Sequence, residues 1–168
     1  MFVGRQAEID RIRAAAEQAY HGRPQVVFVE GPAGIGKSAL VREALRPLSG
    51  WRHFSMALDE GHLHDAGSLL RHLMALRPEK VRGLTSKELV QVVVEEAESQ
   101  TSPMVLKLAN FDKADDASAA ALLDAATAAQ QGPLLAVLTA RPSRRSTVAR
   151  MAGFARTSST GTFIELGP

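Results

Sequence analysis

The sequence predicts an α/β fold, with a parallel β-sheet covered by helices on both faces. Three observations point there. Short apolar runs alternate with helical stretches along the chain. The first of these runs leads directly into a glycine-rich loop and then a helix. The chain has 168 residues and 45% hydrophobic content, enough for one α/β core.

The elements follow in order. Ile9, Ile12, Ala16 and Ala19 keep helical spacing, which predicts a helix over Gln6–Tyr20 stopped by His21-Gly22-Arg23-Pro24. Gln25–Glu30 is a β-branched run and reads as a buried strand. Ser38–Leu45 reads as a helix that ends before Pro47. Trp51–Leu58 is the second strand. Ala66–Leu76 and Ser86–Ser99 are the next helices, separated by Arg77-Pro78-Glu79-Lys80. Pro103–Ala109 is the third strand, and Asp116–Gln130 an alanine-rich helix with Leu122 and Leu123. Asp115 and Asp116 are expected to cap that helix, with its start near Ala117. Leu134–Thr139 is the fourth strand and Thr162–Leu166 the fifth. Arg156–Gly161 reads as a polar loop, and residues 1–168 as a single nucleotide-binding domain.

Composition narrows the function. There is no cysteine, which removes disulfides and thiolate metal sites. Net charge is +2, from 20 basic and 18 acidic residues, too small for a nucleic-acid footprint. The start, Met1-Phe2-Val3-Gly4-Arg5-Gln6-Ala7-Glu8, is neither a signal peptide nor a membrane span, so the expectation is a cytoplasmic protein.

The chemistry is concentrated in Gly31-Pro32-Ala33-Gly34-Ile35-Gly36-Lys37-Ser38, followed by Ala39. This matches G-x-x-x-x-G-K-[S/T] in full, between a strand and a helix. A triphosphate needs several donors converging on its oxygens. Glycines let the backbone bend so that N–H groups point inward. The helix start adds the positive end of its dipole. Lys37 is expected to reach the β- and γ-phosphates and the Ser38 hydroxyl to coordinate Mg²⁺. The expected cofactors are therefore ATP or ADP with Mg²⁺.

With its flanks, the loop resembles the ATPase domain of signal-transduction ATPases with numerous domains. It is especially similar to the AAA-like domain of large ATP-binding regulators of the LuxR type. Phe2-Val3-Gly4-Arg5 and VVFVEGPAGIGKS are similar to that domain's start. Pro103–Leu123 is similar to its second motif and the helix after it. Leu134–Pro142 is similar to its sensor strand, and Phe163–Pro168 to the strand leading into its lid. The resemblance implies a P-loop NTPase three-layer sandwich whose five strands run in the order 5-1-4-3-2. ATP would sit at the carboxyl ends of the strands, where open α/β sheets generally bind ligands. It also implies that Val3 and Gly4 lie near the adenine and Arg5 close to the nucleotide. Arg141 would be the sensor arginine facing the γ-phosphate. The lid, the winged helix, the sensor repeats and the DNA-binding output domain of such regulators do not fit in this chain.

The second motif departs from the family. Two acids should end the third strand, one for Mg²⁺ and one for the attacking water. Those places hold Ala109 and Asn110. Asn110 can orient a water but takes no proton near neutral pH. Asp112 would substitute only in a register that closes the strand three residues later and buries Lys107 or Asn110. In the first register, Lys107 snorkels toward an edge or marks relaxed constraint. The expected consequence is nucleotide binding with weak or absent hydrolysis.

Weaker signals have simpler readings. Arg141, Arg144, Arg145, Arg150 and Arg156 suggest an anionic-partner surface. With no interleaved aromatics they read better as a solvated loop and short helix, so direct DNA binding by this chain is not expected. His62, His64 and His72 match no standard metal spacing. Asp59-Glu60 reads as an exposed loop, and Glu95, Glu96 and Glu98 as a solvated helix face. The leading function is a nucleotide-dependent regulatory switch read by other protein domains or by self-association. The alternatives are a small P-loop kinase, for which only Arg144-Arg145 would serve as a lid, and a pseudo-ATPase interaction module.

Overall fold

The computed structural model describes residues 4–64, 67, 72, 83–99 and 101–168. Val3 lies outside the described residues, as does nearly all of the helix expected over Ala66–Leu76. Five strands form one parallel sheet: β1 (Gln25–Glu30), β2 (Arg52–Ala57), β3 (Met104–Ala109), β4 (Leu134–Ala140) and β5 (Gly161–Glu165). Their order is β2-β3-β4-β1-β5, the reverse listing of 5-1-4-3-2 and therefore the expected topology. β1 lies inside the sheet, between β4 and β5, and both its faces are apolar, with Val26 to Val29 all buried. Such a strand needs a layer of helices on each side.

Those layers divide by strand alternation. Val27, Val29, Val105, Leu135, Val137 and Ile164 face helices α1 (Gln6–Tyr20) and α2 (Lys37–Leu45). Val26, Phe28, Leu108 and Leu138 face the other layer. That layer holds α5 (Asp116–Ala128) and α6 (Ser146–Thr157), together with α4 (Ser86–Glu98), whose Val94 and Ala97 are buried. A short α3 spans Glu60–His64. Among the described residues no helix is long and apolar enough to cross a membrane.

Local signals account for the boundaries. α4 starts on a capping box in which Thr85 accepts from the Glu88 amide and Glu88 accepts from the Thr85 amide. α5 starts on Asp115, whose carboxylate accepts the Ser118 amide at 2.9 Å. Asp116 is already the first helical residue, so it does not share in the cap, and its carboxylate accepts from Arg145 and Thr147 instead.

Two expectations need correction, and a third point decides between registers. The arginine-rich stretch contains not a short helix but the 12-residue α6, which runs through Arg156 and Thr157. Val148, Met151, Ala152 and Ala155 recur at helical spacing and are buried, so α6 is a core helix, and the polar loop expected over Arg156–Gly161 is confined to Ser158, Ser159 and Thr160. Glu60 opens α3 rather than sitting in a loop, although Asp59 and Glu60 are both exposed. β3 ends at Ala109, with Asp112 in a 3₁₀ turn over Phe111–Lys113, so the register that would close the strand on Asp112 does not occur.

Lys107 also finds its explanation. It is half-buried on the α1/α2 face between Ser55 and Val137. Val137 is buried, while His53, Ser55 and Ala57 on the β2 edge strand are exposed. Lys107 therefore stands where the core ends, and its stem can lie on apolar surface while its ammonium reaches water.

Candidate functional site

The loop between β1 and α2 is built by its backbone. Gly34 and Gly36 take φ values of 75° and 101°, which side chains bearing a Cβ resist. Gly31 is fixed by space, since a Cβ there would come within 2.9 Å of the Leu166 carbonyl oxygen. That approach is set by the Leu166 amide donating to the Glu30 carbonyl at 2.7 Å, while the Gly31 amide donates to Ala140 at 3.1 Å. The loop is thus fastened to the strands on either side of β1.

Lys37 opens α2, and its Nζ donates to the carbonyls of Gly31 at 2.7 Å and Pro32 at 2.8 Å. Burial lowers its pKa from the ordinary lysine value. The nearby Asp112 carboxylate opposes that shift and the Arg141 guanidinium adds to it. These influences place Lys37, Asp112 and Arg141 in one electrostatic neighbourhood.

A cleft of about 560 Å³ opens over the loop. Small-molecule sites commonly have roughly 300–1,000 Å³. One wall is Ala33, Gly34, Gly36, Lys37, Ser38, Ala39 and Arg42; the other is Asn110, Lys113, Thr139 and Arg141. The cleft lies at the carboxyl ends of β1, β3 and β4. Of the site residues expected from the sequence, Gly31, Pro32 and Ile35 do not line it, although the first two hold the lysine. Gly4 and Arg5 do not line it either. The Arg5 guanidinium donates to the Gly167 carbonyl at 2.6 Å and pairs with Glu8 at 3.3 Å.

The second wall is held by long-range pairs. Asn110 has φ 59°, a left-handed backbone that asparagine tolerates better than most residues. Its Nδ2 donates to the Leu58 carbonyl at 3.2 Å. Behind it the fully buried Phe111 meets Phe28 edge-on, with ring centroids 6.2 Å apart. The Asp112 side chain is only 10% exposed. It accepts the Arg141 amide at 3.0 Å and the Arg141 Nε at 3.4 Å. Arg145 donates to the carbonyls of Asp112 at 2.8 Å and Ala114 at 2.6 Å, and to the Asp116 carboxylate at 2.6 Å. The Thr147 hydroxyl donates to the same Asp116 oxygen at 2.6 Å. Thr147 first and Arg145 second hold the Asp116 carboxyl below its ordinary pKa.

The arginines therefore do not form one solvated surface. Arg141 and Arg145 join the β4–α6 loop to the segment after β3. Arg156 lies 3.8 Å over the Phe163 ring. Arg145 is not available as a kinase-type lid. His62 bonds Asp59 at 2.9 Å, and its ring lies 5.2 Å from that of His72.

Sequence reasoning missed Arg42, Lys113 and Thr139 as cleft residues. A signal for Thr139 was available: it is the next-to-last residue of β4, beside Val29 and at the mouth of the loop. Nothing local marks Lys113, which pairs with Glu60 at 3.1 Å across the fold.

The cleft suits an anion. Mg²⁺ is usually held by one or two carboxylates together with substrate phosphates and water. Among the described residues lining this cleft there is no carboxylate, and Ser38 offers a single hydroxyl. The Asp112 oxygens are turned to Arg141, and the Asn110 Nδ2 to Leu58. Lys113 and Arg141 stand on the wall where acids would be needed. These residues do not fit a protein-held Mg²⁺.

Residues 1–138 match the family model described as AAA ATPase domain. No curated protein sequence matches the chain. Among solved structures, Cdc6p from Pyrobaculum aerophilum is similar over 100% of this chain and 46% of its own, with TM-score 0.65 and 14% identity. The Aeropyrum pernix ORC1 protein, solved in complex with DNA, has TM-score 0.64 and 17% identity over 100% of this chain and 46% of its own. Aeropyrum pernix ORC2, solved with ADPNP and ADP, has TM-score 0.63 and 15% identity over 98% of this chain and 48% of its own. The chain spans less than half the length of each of these three structures.

Proposed function

The chain belongs to the AAA ATPase domain family, and from that premise we propose that it is a nucleotide-operated switch. ATP or ADP sits on the Gly31–Ser38 loop, is hydrolysed weakly or not at all, and biases a conformation that another protein domain or a second copy reads. The observation that carries this reading is the contrast across one cleft. The Lys37 ammonium is held at a glycine-built loop. The facing wall offers Asn110, Lys113 and Arg141, and β3 ends on Ala109, where paired acids would drive hydrolysis.

The chain's own residues act as follows. Loop amides and the α2 terminus take the phosphate oxygens, and Lys37 neutralises the terminal phosphates. Arg141 is the group that distinguishes a triphosphate from a diphosphate, by exchanging Asp112 for a phosphate oxygen. That exchange would loosen the contact between the β4–α6 loop and the 3₁₀ turn, and so provides the conformational signal. Val3, Gly4 and Arg5 would frame the adenine from the start of α1. By its resemblance to LuxR-type regulators, the output is control of transcription in the cytoplasm, with DNA bound by another domain.

The test is a titration of the purified protein with ATP and ADP, followed by phosphate release on the same sample. Binding that disappears in Lys37→Ala, with almost no phosphate released, is the expected result. Absence of binding would instead select a nucleotide-free interaction module.

A further inference from the structure

We propose that the cleft takes its nucleotide as the metal-free polyanion, with Lys113 and Arg141 supplying the charge that a divalent cation would otherwise bring. This rests on the nucleotide-binding reading above and specifies the ligand's form.

A nucleoside di- or triphosphate carries several negative charges that must be met inside a partly enclosed site. Among the described residues four cations line the cleft: Lys37 and Arg42 on the loop side, Lys113 and Arg141 on the other. Each cation of the second wall has an acid behind it. Glu60 lies 3.1 Å from the Lys113 Nζ, and Asp112 lies 3.4 Å from the Arg141 Nε. Neither acid lines the cleft. They set the direction of the two cations and are the groups with which a phosphate must compete. The Lys113 side chain is 23% exposed and can turn from Glu60 toward a phosphate. A divalent cation entering with the nucleotide would find the Ser38 hydroxyl as a protein ligand, and two like charges on the facing wall. Repulsion at short range from these two cations disfavours it.

The experiment is calorimetric titration of the purified chain with ATP and with ADP, in EDTA and in excess Mg²⁺. The expected result is an affinity in EDTA equal to or tighter than that in Mg²⁺. Lys113→Met should weaken binding in EDTA by about tenfold, and Lys113→Arg should restore most of it. Asp112→Asn should tighten binding in EDTA, because it frees Arg141. Binding that is tenfold or more weaker in EDTA would overturn the proposal, and the unaltered chain alone decides this even if a variant does not fold. An Asp112→Asn variant that loses a Mg²⁺ enhancement would also overturn it, by making Asp112 a metal ligand. No binding in either medium, with Lys37→Ala indistinguishable from the parent, would overturn the nucleotide reading itself and this inference with it.

Discussion

The two walls of the cleft are built by different means. The loop wall comes from one short stretch of chain, Ala33 to Arg42, shaped by the backbone of the Gly31–Ser38 loop. The facing wall is assembled from the end of β3, a 3₁₀ turn and the loop after β4, joined by Asp112–Arg141 and Arg145–Asp116. The first wall keeps the full set of phosphate-binding parts. The second presents cations and an amide, with its carboxylates turned away into salt bridges. Under the proposed function, binding and hydrolysis are separable properties of this cleft, one for each wall.

The largest expected effect comes from making the second wall like that of an active ATPase. Ala109→Asp combined with Asn110→Asp should raise phosphate release by roughly 10–100-fold, since a positioned base contributes on that order or more. Aspartate suits the left-handed backbone at residue 110. A malachite-green assay checks this, and an unchanged rate would mean that the wall fails for a reason other than its missing acids.

The next effect concerns how the second wall is held. Arg145→Ala removes three donors' worth of contact between the β4–α6 loop and the turn after β3. The expected loss is about 2 kcal/mol, seen as a melting temperature lower by about 4–8 °C. The matching change on exposed Arg150 should be within about 0.5 kcal/mol of neutral. Equal effects at the two positions would refute the latch.

These two regions also differ in how legible they were. The loop, β1 and α2 could be read directly, because the motif and the periodicity are local. The sheet order came from the family resemblance. α6 is harder to read: Val148, Met151, Ala152 and Ala155 carry its spacing, but five arginines between residues 141 and 156 overlay that pattern with charge. The Asp112–Arg141 and Arg145 contacts join residues about 30 apart, and no local pattern encodes them. By sequence, Asn110 stands where the family has an acid. Its left-handed φ shows that it also has a backbone reason to be there.

That point yields a smaller prediction. Asn110→Ala should cost about 1 kcal/mol from the left-handed backbone, whereas Asn110→Gly should cost less. Urea unfolding of the two variants compares them. Should Asn110→Gly prove the worse, the amide bond to Leu58 matters more than the backbone.

The smallest effect is on acid stability. The Asp116 carboxyl is held below its ordinary value of 3.8 by Thr147 and then Arg145. A depressed folded pKa stabilises the fold above the unfolded value, and that stability is lost as pH falls through the folded value. Thr147→Val should therefore reduce stability slightly above pH 3.8, and the difference from the parent should shrink below it. Parallel melts across the acid range check the sign.

The central claim is that one wall binds and the other does not hydrolyse. The most direct test measures ATP affinity and phosphate release on a single sample, for the parent and for Lys37→Ala. The account predicts clear binding in the parent, its loss in the variant, and phosphate release from the parent barely above that of buffer. Sustained turnover by the parent at the rate of an ordinary ATPase, abolished in Lys37→Ala, would contradict it.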